Sequence, residues 1–98
     1  MTDLKRGLAP LHPGEHLKME QEALEMTNVA FARLCGISRQ HLDRIFKGQS
    51  PITTPVATHI SAALGTSARF WLNLQANYDI WHYREENKDK LAKIEAVT

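Results

Sequence analysis

The stretch from Thr27 to Gly48, TNVAFARLCGISRQHLDRIFKG, leaves room for two short helices and almost nothing between them. Thr27 is a residue type that caps a helix start, and Gly36 is one that ends a helix in the left-handed conformation. Ser38 caps again two residues later, and Gly48 stops the second segment. Helices are therefore predicted over 28–35 and 39–47. With so short a link the chain turns sharply, and the second helix crosses the first. Ala32 is small enough for a close crossing, and Ile37 can plug the gap. Leu42, Ile45 and Phe46, spaced i, i+3, i+4, form one inward stripe on the second helix. Val29, Phe31, Ala32 and Cys35 are the expected apolar contacts of the first.

The rest of the chain reads the same way. Residues 14–24 predict a helix with Leu17 and Leu24 inward. After the loop QSPITTP, Thr53 or Thr54 caps a helix whose Val56, Ile60, Ala63 and Leu64 face the core and which stops at Gly65. Thr66 or Ser67 starts a long helix, ARFWLNLQANYDIWHYREEN. Residues 1–11 read as a loose arm, and the charged end carries only Leu91 and Ile94 as a small apolar face. No strand signal, repeat or low-complexity segment interrupts the pattern. The expectation is an all-α, five-helix bundle with a lambda-repressor-like helix pair and a long C-terminal helix. It is one domain over 1–98, with a core at 12–66 and a helix and tail at 67–98.

Composition excludes little and fits this. With 43% apolar residues in 98, the chain can bury a modest core. No apolar run reaches the ~20 residues a membrane span needs, and Lys5 and Arg6 precede no secretory apolar run. The single cysteine, Cys35, rules out an intrachain disulfide and suits a reducing cytoplasm. Cys35 reads as a small buried apolar residue.

HPGEH at 12–16 matches the His-x-x-Glu-His spacing of some zinc proteases. That chemistry needs both histidines on one helix, and Pro13 forbids a helix that runs through it. His12 falls at or before the cap, His16 inside, and Glu85 and Glu86 sit in a charged tail. We read the stretch as a helix start with Glu15 beside the positive dipole end. No metal, cofactor or enzymatic activity is expected.

The chemistry sits after Gly36. With Leu42 and Ile45 inward, the helix presents Arg39, Gln40, His41, Asp43, Arg44 and Lys47. Arginine pairs bidentately with guanine and glutamine with adenine, while lysine neutralises phosphate. Arg39, Gln40, His41, Asp43 and Arg44 are therefore candidate base contacts. Asp43 would repel phosphate, so its candidate targets are cytosine N4, or Arg39 and Lys47 one turn either side. Thr27, Asn28, Ser38, Lys47, Gln49 and Ser50 are candidate phosphate contacts. Charge agrees: residues 27–69 carry five basic side chains and one acidic, while 1–26 and 70–98 are net acidic.

Three stretches resemble one family: HPGE at 12–15, ITTPVATHISAALGTSARFWLNLQANYD at 52–79, and the helix pair between them. The chain is similar to the HigA (VapI-like) antitoxins, within the xenobiotic-response-element class of helix-turn-helix repressors, over about residues 12 to 82. The resemblance implies an antitoxin that neutralises a HigB toxin, a RelE-type enzyme that cleaves mRNA. It also implies a dimer that represses its own operon on double-stranded operator DNA. In that class the positions matching Arg39, Gln40 and Arg44 read the major groove, and those matching Thr27, Asn28, Lys47, Gln49 and Ser50 contact backbone. Asn28 stands where many relatives carry glutamine, and Ala30 where glutamate is usual.

Phe70, Trp71, Leu74, Tyr78 and Trp81 recur on the last long helix at spacings of three and four. A stripe of this kind can belong to the core, but a domain this small has limited room for so many rings, and the surplus is expected as a homodimer interface. The acidic set Glu15, Glu20, Glu22 and Glu25, with the arm at 1–11, is the expected meeting point for a basic toxin. A solitary regulator without a toxin, or a protein-interaction module with a vestigial helix pair, would share most of these features.

Overall fold

The computed structural model describes residues 9–97, and every regular element among them is helical. In chain order these are α1 (Pro13–Ala23), α2 (Asn28–Cys35), α3 (Arg39–Phe46), α4 (Thr54–Leu64), α5 (Ala68–Glu86) and α6 (Lys88–Ala92). Five match the predicted helices, and α6 is a short addition in the charged tail. The first eight residues of the expected arm lie outside the described residues.

The starts are set by side-chain caps. Thr27, Ser38, Thr53 and Ser67 each accept from a backbone N–H in the first turn of α2, α3, α4 and α5. α1 uses a histidine: His12 Nδ1 accepts from Gly14 N at 2.9 Å, and Glu15 reaches back to His12 N. His12 is thus a cap outside the helix and shares no face with His16. Among the described residues no group of three histidine, cysteine or acidic side chains comes together to hold a metal.

α2 and α4 end on Gly36 and Gly65, both with positive φ. At Gly36 a β-carbon would also lie 3.1 Å from His59 Nδ1, which is bonded to the Cys35 carbonyl at 3.0 Å. Gly14 is required by packing. A β-carbon there would fall 1.9 Å from the Ile45 carbonyl oxygen, so α1 and α3 touch backbone to backbone.

The core joins Leu17, Phe31, Ala32, Cys35, Leu42, Ile45, Ile52, Val56, Ala57, Ile60 and Trp71. Fully burying a side chain such as Leu42 or Ile45 contributes about 1.5–3 kcal/mol. Two expected core residues are corrected. Val29 is half exposed, because the inward line of α2 runs Asn28, Phe31, Ala32, Cys35 and Val29 lies off it. Leu24 is also half exposed: α1 stops at Ala23, and Glu25 turns away with φ 55°. Gln21 takes the inward place instead.

Trp71 is fully buried and donates its indole N–H to Thr66 Oγ1 at 2.8 Å. It is therefore a core residue of the protomer with no surface to offer a partner, which corrects its place in the expected interface stripe.

Candidate nucleic-acid interface

α3 is the element on which the site depends. Leu42 and Ile45 have no exposed surface, and Phe46 stacks on Phe31 with ring centroids 6.4 Å apart. These anchors fix the rotation of the helix. Arg39, Gln40, Arg44 and Lys47 are left exposed, with His41 half-buried beside them. None of the four cations and amides is tied to an acidic partner among the described residues. A ridge of five-donor guanidinium forks and one amide, held rigidly from beneath, is suited to the edges of base pairs.

The flanking positions suit phosphate. Thr27 Oγ1 accepts from Ala30 N and Ser38 Oγ from His41 N, both at 3.1 Å. Each hydroxyl so used keeps its own O–H to donate outward. Gln49 N and Ser50 N both donate to the Arg44 carbonyl, which closes the turn after α3. Ser50 Oγ accepts from Arg44 Nε at 3.4 Å, so this hydroxyl also steadies the arginine.

Asp43 departs from the expectation. It pairs with neither Arg39 nor Lys47 among the described residues; its carboxylate accepts from Asn28 Nδ2 at 3.2 Å. Asn28 Oδ1 in turn accepts from Gln21 Nε2. Two candidate contacts, one for bases and one for phosphate, are thereby joined to each other and to α1. The clue available in the sequence is Gln21 at i+4 from Leu17, a polar residue on an apolar line.

Gln75 is a second buried amide, on the inner side of α5. Its Oε1 accepts from Ile52 N at 2.7 Å and its Nε2 donates to Asp79 at 2.9 Å. The loop that follows α3 is pinned to α5 by this buried amide. Cys35 is buried, and burial pushes its thiol up, so it has the character of a packing residue.

On α5 the rings divide. Trp71, Gln75, Tyr78 and His82 line the inner side, with Tyr78 edge-on to His12 at 4.8 Å. Phe70, Leu74 and Trp81 lie about 100° further round the helix, half-buried or exposed, with Leu74 also packed against the core; Ile80 and Tyr83 are exposed on the far side and the opposite flank.

Two capped helices across a left-handed glycine, with a rigid cationic and amide ridge on the second, define a helix-turn-helix DNA-binding protein. The helix-turn-helix family profile matches residues 17–71. The chain is 38% identical over 84 residues to antitoxin HigA-1 of Vibrio cholerae, covering 81% of this chain and 79% of that protein. A HigA-family addiction module antidote protein from Coxiella burnetii superposes with a TM-score of 0.86 at 32% identity, over 93% of this chain and 100% of that one. Pseudomonas aeruginosa antitoxin HigA with the higBA promoter superposes with a TM-score of 0.84 at 30% identity, over 91% and 99%. The chain belongs to the HigA family of helix-turn-helix antitoxins.

Proposed function

We infer that this chain is the antitoxin of a type II toxin–antitoxin module, which represses its own operon by sequence-specific DNA binding as a homodimer and neutralises a HigB/RelE-like mRNA-cleaving toxin. The observation that carries the DNA half is the ridge on α3, exposed on one side and seated on two fully buried anchors on the other. Arg39, Gln40, His41 and Arg44 read base edges. Thr27, Asn28, Ser38, Lys47, Gln49 and Ser50 hold the backbone. Pseudomonas antitoxin HigA with its promoter supports the same use of the fold.

One recognition helix offers few contacts, and a two-fold pair about 34 Å apart meets successive major grooves. Phe70, Leu74 and Trp81 on the outer side of α5 supply the apolar surface for that pairing, with Tyr78 at its inner margin. The working division is a DNA-binding core at 12–66 and a dimerising helix and tail at 67–98. Among the described residues no helix is long and apolar enough to cross a membrane, which suits a cytoplasmic site of action. The toxin half rests on family membership. Glu15, Glu20, Glu22 and Glu25 are all exposed on α1 and the turn after it, and they would steer a basic ribonuclease.

The test is a footprint on the DNA upstream of the chain's own gene, followed by co-purification with the product of the adjacent gene. A protected site of two half-sites, and a stable complex with a small basic neighbour, are expected. A footprint without such a neighbour would make the chain a solitary regulator, and absence of any protected site would overturn the repressor reading.

A further inference from the structure

A chain of three polar side chains runs from the interior to the edge of the interface: Gln21, 3% exposed, then Asn28, half-buried, then Asp43, half-buried on the recognition helix. Each comes from a different helix, α1, α2 and α3. An ionised carboxylate only accepts hydrogen bonds, so Asn28 must turn its Nδ2 toward Asp43. Its Oδ1 then faces inward and must accept, so Gln21 must present Nε2. The remaining Gln21 Oε1 is buried and has no partner among the described residues. That orphaned acceptor is what the polarity of the chain leaves behind: were Asn28 reversed, Gln21 could turn too, but Asn28 Oδ1 would then oppose the carboxylate.

We propose that Asp43 is a positioning residue that reads no base: through Asn28 and Gln21 it sets the polarity of a three-residue relay, so that Asn28 offers its second Nδ2 hydrogen to the DNA phosphate backbone. The inference rests on the DNA-binding reading of α3. It explains how an acidic side chain sits on a helix that enters a polyanion. The carboxylate charge is spent on orienting a donor. It also accounts for the shorter asparagine at residue 28, which lies within reach of Asp43 and Gln21 at once. The second hydrogen of Asn28 Nδ2 has no protein partner among the described residues, and it lies at the start of α2, where backbone N–H groups already favour an anion.

The relay makes a prediction that base reading does not. Exchanging the outer two members, Asn28→Asp with Asp43→Asn, keeps both hydrogen bonds, because the new asparagine donates to the new carboxylate and Gln21 still donates to it. The carboxylate now faces the phosphate. Gln21→Met, at a site too buried to touch DNA, removes the inner donor that holds Asn28 Oδ1, leaving Asp43 alone to orient the amide. Wild type and both variants would be titrated by fluorescence anisotropy against two duplexes, one from the chain's own upstream DNA and one of scrambled sequence, across a salt series, with a thermal melt on each protein. The exchanged pair is expected to melt like wild type and to lose about tenfold affinity on both duplexes equally, the worth of one charge-assisted hydrogen bond. Its salt slope is expected to flatten by about one unit. Gln21→Met is expected to lose several-fold on both, and decides the matter if the exchanged pair does not fold. Loss confined to the upstream duplex would make Asp43 a base reader and overturn the relay, as would unchanged binding by the folded variants. Wild type binding neither duplex would overturn the DNA reading itself.

Discussion

Arg44 and Lys47 stand one turn apart on α3 and are predicted to differ in kind. Arg44 is steadied by Ser50 and aimed from the exposed side of a buried anchor pair. Arg44→Ala is expected to lose about 1–3 kcal/mol on the operator and to relax one base preference, measured by titrating single-base variants of the footprinted site. Lys47→Ala is expected to weaken binding to every sequence alike and to flatten the salt slope by about one unit. Both exposures were legible in the sequence, because an i, i+3, i+4 stripe dictates which residues are left outside. The pairing of Asp43 was not. Within one helix its neighbours are Arg39 and Lys47, and only the crossing of α2 and α1 over α3 brings Asn28 and Gln21 within reach.

The helices have two sensitive junctions. Gly14 sits where α1 meets the α3 backbone, and Gly14→Ala would drive a methyl into the Ile45 carbonyl. Overpacking of this kind costs about 1–3 kcal/mol or more, and here it also tilts the recognition helix. A lowered melting temperature together with weakened operator binding is expected; a stable variant with normal binding would contradict the close crossing. The second junction is the α1 cap. Burial holds the His12 ring below its ordinary pKa of 6.5, against the opposing pull of Asp79 and Glu15. The unfolded chain therefore takes up the proton more readily than the folded one. The stability contributed is complete above pH 6.5 and is lost progressively as pH falls below it, with protonation of Nδ1 also ending the bond from Gly14. Melting temperature measured against pH should decline on the acid side of that value, and His12→Asn, which keeps a capping acceptor, should flatten the decline. From sequence, HPGE identified a helix start, but the ring's burial against Tyr78 depends on α5 folding back across it.

For the whole molecule, the two tryptophans separate folding from assembly. Trp71→Ala is expected to cost about 3–5 kcal/mol, the range for deleting a fully buried aromatic, and to lower the melting temperature of the chain. Trp81→Ala, on the outer side of α5, is expected to melt nearly as before and to shift the sedimenting species from dimer toward monomer. An unchanged mass for Trp81→Ala would return that ring to the protomer. Loss of the dimer should weaken operator binding far more than binding to a single half-site, since two ridges share one duplex.

What the sequence by itself determined is the local grammar: four hydroxyl caps, three glycine stops, and the apolar stripe that turns Arg39, Gln40, Arg44 and Lys47 outward. These depend on residues a few positions apart, where spacing and chemistry suffice. Only the tertiary structure decided the rest. It took Trp71 into the core and left Val29 and Leu24 outside it. It joined Gln21, Asn28 and Asp43 across three helices, and used Gln75 to pin the loop behind the recognition helix. Such choices turn on which helices cross and how closely, and a polar side chain's partner across a crossing leaves no periodic trace along the chain.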